Sequence, residues 1–315
     1  MIDTNFYKKQ DISKSPTYRK YDKLRDRYSR LIPVYKFFEA KQIEERGVAY
    51  KRILLTGHKG FIGNRVYDYI MNKTQWRLYP GFELDCIDLK DGTDIGDFRD
   101  DHPWWDKRYD LVIHLAAFAA LRDSIENPEK FWVNNVEKSQ GIFDYVRKTN
   151  DAGHRCKLLY ASSAGAHGWW QNPYAITKKV NEMQAPPNST GMRFFNVWAQ
   201  EGSREDMLYR MLQDNTAKYI TRHERDYIHV DDVVRAIMHL TFFGSSPDWI
   251  DVGTGYSIPV MEIAKAFGRD LPIKEDTPGE PQTLRADTSF LSEAGWYPRI
   301  NIRDHLEAVK RENAK

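Results

Sequence analysis

The sequence predicts an α/β protein in which helices cover a mainly parallel sheet. The first observation is a short aliphatic run, residues 52–56, that ends in a turn containing Gly57, Gly60 and Gly63 and continues into an amphipathic helix. The second is that strand and helix patterns alternate from Arg52 onward, which is typical of βα units. The third is length, because 315 residues can bury a large core.

Each glycine of this turn has a separate structural reason. Gly57 lets the chain turn sharply off the strand, Gly60 lets a pyrophosphate approach the backbone, and Gly63 lets the helix pack on the strand. The N-terminus of the helix then attracts phosphates. Three glycines also occur in turns that bind nothing, and their spacing is one residue wider than the dinucleotide fingerprint. The pattern therefore needs support further along the chain.

That support begins at Asp88, at the end of a second strand predicted at 82–88. An acidic side chain at this position accepts both ribose hydroxyls of NAD, although a capping aspartate is the simpler alternative. We expect tighter binding of NAD than of NADP, with Lys90 leaving some room for a 2′-phosphate. Asp94 and Ile95 are predicted on a short third strand at the adenine edge.

A second group of residues lies further along the alternating pattern. A buried strand at 109–117 contains His114, which we expect to be structural, and a helix follows at 127–148. The next strand, 157–161, ends in two serines, and a helix begins after it. Tyr174 and Lys178 are four residues apart and therefore share one face of that helix. A lone pair of this kind is usually a surface pair, but its position after the serines favours catalysis.

Composition excludes several classes of protein. The chain has 47 basic and 45 acidic side chains, and this net charge of +2 argues against a nucleic-acid partner. No apolar run approaches the roughly 20 residues that span a membrane, and the polar N-terminus predicts a cytoplasmic protein. Cys86 and Cys156 lie in predicted core strands, so we expect buried free thiols and no metal site.

Residues 1–49 form a basic and aromatic N-terminal arm in this interpretation, ahead of a main domain at 50–315. The arm has twelve Lys/Arg and seven Asp/Glu, a balance of +5 (12 − 7). One hypothesis is that it packs on its own body or on a second subunit. The alternative is that it binds RNA or another anionic partner, which the interleaved acidic residues argue against.

Several ordered motifs resemble the extended short-chain dehydrogenase/reductase family, in its group of NAD-dependent nucleotide-sugar epimerases and dehydratases. The resemblance covers residues 52 to about 309. Its motifs are Thr56-Gly57-His58-Lys59-Gly60-Phe61-Ile62-Gly63, His114-Leu115-Ala116-Ala117, Ser162-Ser163, Tyr174-x-x-x-Lys178, Arg193-Phe194-Phe195-Asn196-Val197, residues 225–233, Val252-Gly253-Thr254-Gly255 and Ala286-Asp287.

The resemblance implies a Rossmann-type doubly wound parallel sheet with a small C-terminal substrate lobe, built mainly from residues 197–224 and 251–315. It implies NAD as cofactor, a nucleotide sugar as substrate and a homodimer. The implied catalytic residues are Ser163, Tyr174 and Lys178, and the substrate's phosphates would meet Asn196, Arg225 and Arg285. The implied NAD-binding residues are Gly57, Gly60, Phe61, Ile62, Asp88, Asp94, Ile95, Ala116, Asn135, Tyr174 and Lys178.

The implied activity is nucleotide-sugar epimerisation by transient hydride transfer, with Tyr174 as general base. An ammonium about 4 Å from the phenol contributes about 4 kcal/mol at an effective dielectric near 20, so we expect Lys178 to lower the pKa of Tyr174. The alternatives are a sugar or ketone reductase of the same family, and an inactive dinucleotide-binding protein that uses its N-terminal arm to bind a partner.

The substrate half departs from the family pattern. The segment between Ser163 and Tyr174 is about half the usual length, and it begins with Ala164-Gly165 where the dehydratases carry Asp-Glu. His167 replaces a customary tyrosine. Thr277 replaces an arginine expected to bind phosphate, and Trp198-Ala199-Gln200 replaces Tyr-Gly-Pro.

Overall fold

The computed structural model describes residues 50–74, 76–78, 80–243, 246–274 and 281–313. The expectations about the N-terminal arm, residues 1–49, and about Thr277 therefore concern parts of the chain outside the described residues.

A six-stranded parallel sheet lies at the centre of the fold, in the order β2-β1-β3-β4-β5-β8. β2 lies on one side of β1 and β3 lies on the other, so the direction in which strands are added to the sheet reverses at β1. The crevice where a doubly wound sheet binds its ligand therefore lies beyond the carboxyl ends of β1 and β3. The predicted Rossmann-type parallel sheet is confirmed. Its strands are β1 (Arg52–Thr56), β2 (Glu83–Ile87), β3 (Leu111–His114), β4 (Lys157–Ser163), β5 (Ser189–Phe194) and β8 (Trp249–Val252).

Helices cover both faces of this sheet because its strands are apolar on both sides. Ile53 and Leu55 belong to the cluster that packs on α1 and α7, whereas Leu54 points to the opposite face and packs on α4. The helices are α1 (Phe61–Asp68), α2 (Leu121–Glu126), α3 (Pro128–Trp132), α4 (Ser139–Asp151), α5 (Pro173–Gln184), α6 (Leu208–Gln213), α7 (Val230–Thr241), α8 (Val260–Ala266), α9 (Ser289–Glu293) and α10 (Ile302–Asn313).

A second, smaller sheet is built from the later part of the chain. β7 (Glu224–His229) is its central strand and pairs in parallel with β6 (Asn196–Trp198) and β10 (Thr283–Leu284). β9 (Ser257–Pro259) pairs with β7 in the antiparallel direction. An aromatic and aliphatic cluster around Trp198 and Tyr209 packs against this sheet and is separate from the clusters of the main sheet.

Two local predictions were wrong. Asp94 and Ile95 do not form a strand: Asp94 caps a 3₁₀ turn at Ile95–Asp97 by accepting a hydrogen bond from the Gly96 N–H at 2.8 Å. The helix predicted at 127–148 is interrupted by a wide turn at Val133–Glu137, where the Lys138 N–H donates to the Val133 carbonyl at 2.9 Å. Wide turns of this kind often occur at functional sites.

Candidate active site and cofactor cradle

The glycine turn after β1 closes against the loop that follows β3. Gly57 has a φ of +75°, and a Cβ there would lie 2.6 Å from the Ala116 nitrogen. A Cβ on Gly63 would lie 2.0 Å from the Gly57 carbonyl oxygen. Glycine is therefore required at position 57 by the left-handed backbone and the close approach of Ala116, and at position 63 by the packing of the helix against the turn. The turn and the loop after β3 are thus in close contact at Ala116, at the crevice predicted to hold the cofactor.

The helix that follows this turn offers hydrogen-bond donors to a phosphate. α1 begins at Phe61, with Gly60 as its N-cap, and the first N–H groups of a helix have no acceptor within it. The side chains of Phe61 and Ile62 turn inward and pack against the core. Their contribution to a dinucleotide site is thus their backbone, and the turn fits a pyrophosphate.

Asp88 lies at the end of β2, as predicted, and is 8% exposed. Its two carboxylate oxygens accept hydrogen bonds from the Lys59 N–H at 2.8 Å and the Lys90 N–H at 2.9 Å. The aspartate therefore caps its own turn and also ties it to the glycine turn. Since each carboxylate oxygen has a second lone pair, these bonds leave Asp88 able to accept ribose hydroxyls.

A cavity of about 620 Å³ lies beyond the end of β2, large enough for the adenosine part of a dinucleotide. Lys138 lies at its wall and forms an ion pair with Asp94. The residues that line the cavity are Leu89, Phe118, Glu126, Asn127, Pro128, Glu129, Lys130, Val133, Asn134 and Lys138.

Asn135 is fully buried in the wide turn between α3 and α4. Its Oδ1 accepts from the Phe118 N–H at 2.8 Å, and its Nδ2 donates to the Phe118 carbonyl at 2.9 Å and to the Thr177 Oγ1 at 3.2 Å. The side chain therefore fixes the loop after β3 against the helix that carries Tyr174. This contact explains the interruption of the predicted helix, because the wide turn directs Asn135 inward.

Ser163, Tyr174 and Lys178 come together at the carboxyl end of β4. The Ser163 hydroxyl lies close enough to the phenol of Tyr174 to lower its pKa, and it accepts a hydrogen bond from the Gly165 N–H at 3.1 Å. The Lys178 Nζ donates to the Ala161 carbonyl at 2.8 Å and lies 5.8 Å from the centre of the Tyr174 ring. The three residues that the sequence singled out thus form one cluster.

The charges in this cluster differ from the expectation. Burial raises the pKa of Tyr174, and the hydrogen bond from Ser163 and the charge of Arg204 oppose this rise. Lys178 is 2% exposed, and burial lowers the pKa of its ammonium to about 7. Because Lys178 is only partly charged near neutral pH, it is a weaker source of positive charge than the sequence suggests.

Arg204 and Asp206 are site residues that sequence reasoning missed. Their charges act on the Tyr174 phenol, and the Arg204 Nε donates to the Asp206 Oδ1 at 2.9 Å. Both lie on the loop between β6 and α6. The only signal in the sequence is a run of charged residues at 204–206 shortly after the Asn196 motif.

The smaller sheet brings Asn196, Arg225 and Arg285 onto neighbouring strands. Asn196 is paired with Tyr227 across β6 and β7, while Arg225 is paired with Leu284, directly before Arg285. The Asn196 Nδ2 donates to the Asp226 carbonyl at 3.3 Å. The Arg225 guanidinium donates to the Pro281 carbonyl at 2.8 Å, so part of its hydrogen-bonding capacity holds the adjacent segment.

A buried ionic network lies behind Ser163. Arg193 forms two hydrogen bonds of 2.7 Å with the Glu182 carboxylate, and the Ser162 hydroxyl donates to the same carboxylate at 2.7 Å. His167 is also hydrogen-bonded to Arg193, at 3.1 Å, and to Asp251, at 2.8 Å. His167, noted in the sequence only as a departure from the family pattern, thus connects the segment that follows Ser163 to β8.

His114 is structural, as predicted. Its Nδ1 is 2.7 Å from the Thr56 Oγ1 and its Nε2 is 3.0 Å from the Ser139 Oγ. Burial lowers the pKa of His114 to about 3, so the imidazole stays neutral at physiological pH. Cys86 and Cys156 are free thiols, the second fully buried and the first partly so.

The fold and this site define a dinucleotide-binding enzyme. The family described as "NAD dependent epimerase/dehydratase family" matches residues 53–253, and the chain belongs to that family. It is therefore an enzyme of the extended short-chain dehydrogenase type, and its cofactor is NAD.

Similar proteins include both epimerases and dehydratases. UDP-glucose 4-epimerase 3 of Oryza sativa subsp. japonica is 29% identical, over 83% of this chain and 89% of that protein. The solved UDP-glucose 4-epimerase of Thermotoga maritima is 20% identical, with a TM-score of 0.64 over 84% of this chain and 100% of that one. TunA, an NAD-dependent NDP-hexosamine 5,6-dehydratase, is 21% identical, with a TM-score of 0.67 over 82% and 96%.

Within the described residues, no helix is long and apolar enough to cross a membrane. The same part of the chain contains no group of three or more His, Cys, Asp or Glu side chains arranged to hold a metal ion.

Proposed function

We propose that the protein is a nucleotide-sugar epimerase in which Tyr174 acts as the general base. The observation that carries the proposal is the cluster of Ser163, Tyr174 and Lys178 at the crevice beside the glycine turn. The epimerase names of relatives such as the rice protein support the choice of substrate class. When bound, NAD supplies a hydride acceptor that can return the hydride to either face of the sugar.

The protein's own residues handle the proton. Tyr174 accepts the proton of the reacting sugar hydroxyl, and Ser163 holds the same oxygen by a hydrogen bond. Tyr174 accepts this proton as a phenolate, a form that burial and the charge of Asp206 oppose and that Ser163 and the charge of Arg204 favour. Lys178, anchored to the Ala161 carbonyl, has further N–H groups with which to hold the ribose of the cofactor.

The phosphates of the substrate are assigned to the smaller sheet. Asn196 and Arg225 lie on its adjoining strands β6 and β7 and Arg285 directly follows β10, and two guanidinium groups suit a diphosphate. If the part of the chain that carries the smaller sheet closed over the bound sugar, the reacting hydroxyl would come close to Tyr174.

The residues after Ser163 distinguish epimerisation from dehydration. Loss of water from a 4-keto sugar needs an acid and a base beside the ring, and Ala164 and Gly165 have no side chain that supplies either. Ala164 is also buried. We therefore place this chain with the epimerases of its family.

The test is product analysis by NMR after incubating the NAD-loaded protein with a panel of nucleotide hexoses. We expect at least one pair of epimers to interconvert in both directions, with no 4-keto-6-deoxy product. A 4-keto-6-deoxy sugar would contradict the proposal, and so would reduced nicotinamide formed in proportion to product, which would show net oxidation of the sugar by a dehydrogenase.

We further propose a homodimer formed through α3 and α5. Trp132 on α3 is 41% exposed and Met183 on α5 is 76% exposed, both large apolar side chains. The two helices are adjacent, since the Phe131 ring on α3 lies 6.4 Å from the Tyr174 ring on α5, measured between ring centres. Light scattering is expected to give twice the chain mass of 37.0 kDa. Replacing both Trp132 and Met183 by lysine should yield monomers, whereas a monomeric wild type would refute the dimer.

A further inference from the structure

The edge of the glycine turn carries a group of charged residues that the proposed reaction does not use. His58 and Lys59 lie within the turn, and Lys90 follows β2 and donates to the Lys59 carbonyl at 3.1 Å. Asp91 binds two of them: its Oδ2 is 2.8 Å from the His58 Nε2, and its Oδ1 forms an ion pair with the Lys59 Nζ. One exposed carboxylate thus holds a lysine and a histidine.

Asp91 and Asp88 differ in what they contact. Asp88 is 8% exposed, and its oxygens accept backbone N–H groups of Lys59 and Lys90. Asp91 makes its contacts through side chains alone, and its own side chain is 31% exposed. The hydrogen bond from Lys59, together with the charges of Lys59 and His58, holds the pKa of Asp91 below its ordinary value. Asp91 is therefore ionised at neutral pH and neutralises these neighbours.

This position matters because of where the cofactor's ribose lies. In a doubly wound sheet the adenosine ribose sits between the glycine turn and the end of β2, with its 2′ oxygen facing the acidic residue there. The 2′-phosphate of NADP would thus come close to Lys59 and Lys90. Two lysines and a histidine would attract such a phosphate if no carboxylate engaged them.

We propose that Asp91 is a specificity-determining residue that excludes NADP, by holding Lys59 and His58 away from the 2′ position and by repelling the phosphate. Asp88 selects the ribose hydroxyls, and Asp91 engages the cations that would otherwise bind a phosphate. The proposal rests on the NAD cofactor of the family and is independent of the sugar and of the reaction.

The test is calorimetric titration of the full chain with NAD and with NADP, before and after Asp91→Asn. The asparagine keeps the size of the side chain and removes its charge. We expect the ratio of NADP to NAD affinity to rise about tenfold, because a charge-assisted contact is gained and a repulsion is lost. AMP and adenosine 2′,5′-bisphosphate should show the same shift, and the gain should shrink at high salt.

A second variant shows whether the freed lysine is the cause. Adding Lys59→Met to Asp91→Asn should bring the ratio part of the way back to that of the wild type, because the freed lysine is gone while the repulsion by Asp91 stays absent. Glu307→Gln is the matched control, since this exposed carboxylate bonds Lys310 at 2.6 Å far along the chain on α10, and its ratio should not change. An unchanged ratio in Asp91→Asn would overturn the proposal. Equal weakening of both nucleotides, or a gain that Lys59→Met leaves undiminished, would overturn it too.

Discussion

Replacing Tyr174 by phenylalanine is expected to slow the chemical step by about 10²–10⁴-fold, the usual contribution of a positioned general base. Only the phenol oxygen is removed, and the ring can keep its edge contact with Phe131, at 6.4 Å between centres. NAD affinity should therefore change little. Rapid-mixing kinetics with a sugar that turns over would measure the step, and calorimetry would measure the affinity.

The control for this variant is Tyr145→Phe. Tyr145 is a buried tyrosine of α4 whose hydroxyl donates to the Lys107 carbonyl, away from the site. The same hydroxyl accepts from the Tyr109 N–H at 2.9 Å, so its loss removes two hydrogen bonds and should cost about 1–3 kcal/mol of stability while leaving the rate unchanged. If Tyr174→Phe and the wild type turned over a sugar at the same rate, Tyr174 would not be the base.

Breaking the ion pair of Arg193 and Glu182 is expected to give the largest loss of stability. Both side chains are nearly inaccessible, at 3% and 2% exposure. Removing Glu182 leaves the buried Arg193 charge without a carboxylate partner, which costs about 3–5 kcal/mol. We expect Glu182→Met to lower the free energy of unfolding by this amount, measured by urea denaturation, and Arg193→Met to lower it by less, because Glu182 keeps its ion pair with Lys179 at 3.2 Å.

A double-mutant cycle isolates the pair. Replacing both residues by methionine should be less destabilising than the sum of the single changes, since no buried charge is then left alone. Lys310→Met with Glu307→Met gives the same cycle on the exposed face of α10 and should couple by less than about 1 kcal/mol. Additive losses at Arg193 and Glu182 would show that the buried pair has no such coupling.

The cofactor half of the fold could be predicted because its signals are local. The glycine turn, the acidic residue at the end of β2 and the four-residue spacing of Tyr174 and Lys178 each lie within one βα unit. The parallel sheet then follows from alternation of strands and helices. The structural interpretation of His114 followed from its place at the end of a buried strand, whereas its partners, Thr56 on β1 and Ser139 on α4, come from other segments.

The missed features depend either on local hydrogen bonding or on contacts between distant segments. Asp94 has the sequence context of a strand but caps the turn that follows it, a choice of local hydrogen bonding that the hydrophobic pattern does not reveal. The inward direction of Asn135 depends on the loop after β3. The pKa of Tyr174 depends on burial and on Arg204, and burial also limits how far Lys178 is charged.

The central claim is that one hydride leaves the sugar and returns to the same carbon while Tyr174 handles the hydroxyl proton. The most direct measurement uses a nucleotide hexose carrying deuterium at the carbon whose configuration inverts, followed by mass spectrometry and NMR of the product. The account predicts that the epimer keeps the deuterium at that carbon and that reduced nicotinamide does not accumulate. Replacement of the deuterium by solvent hydrogen, or its appearance in released reduced nicotinamide, would contradict it.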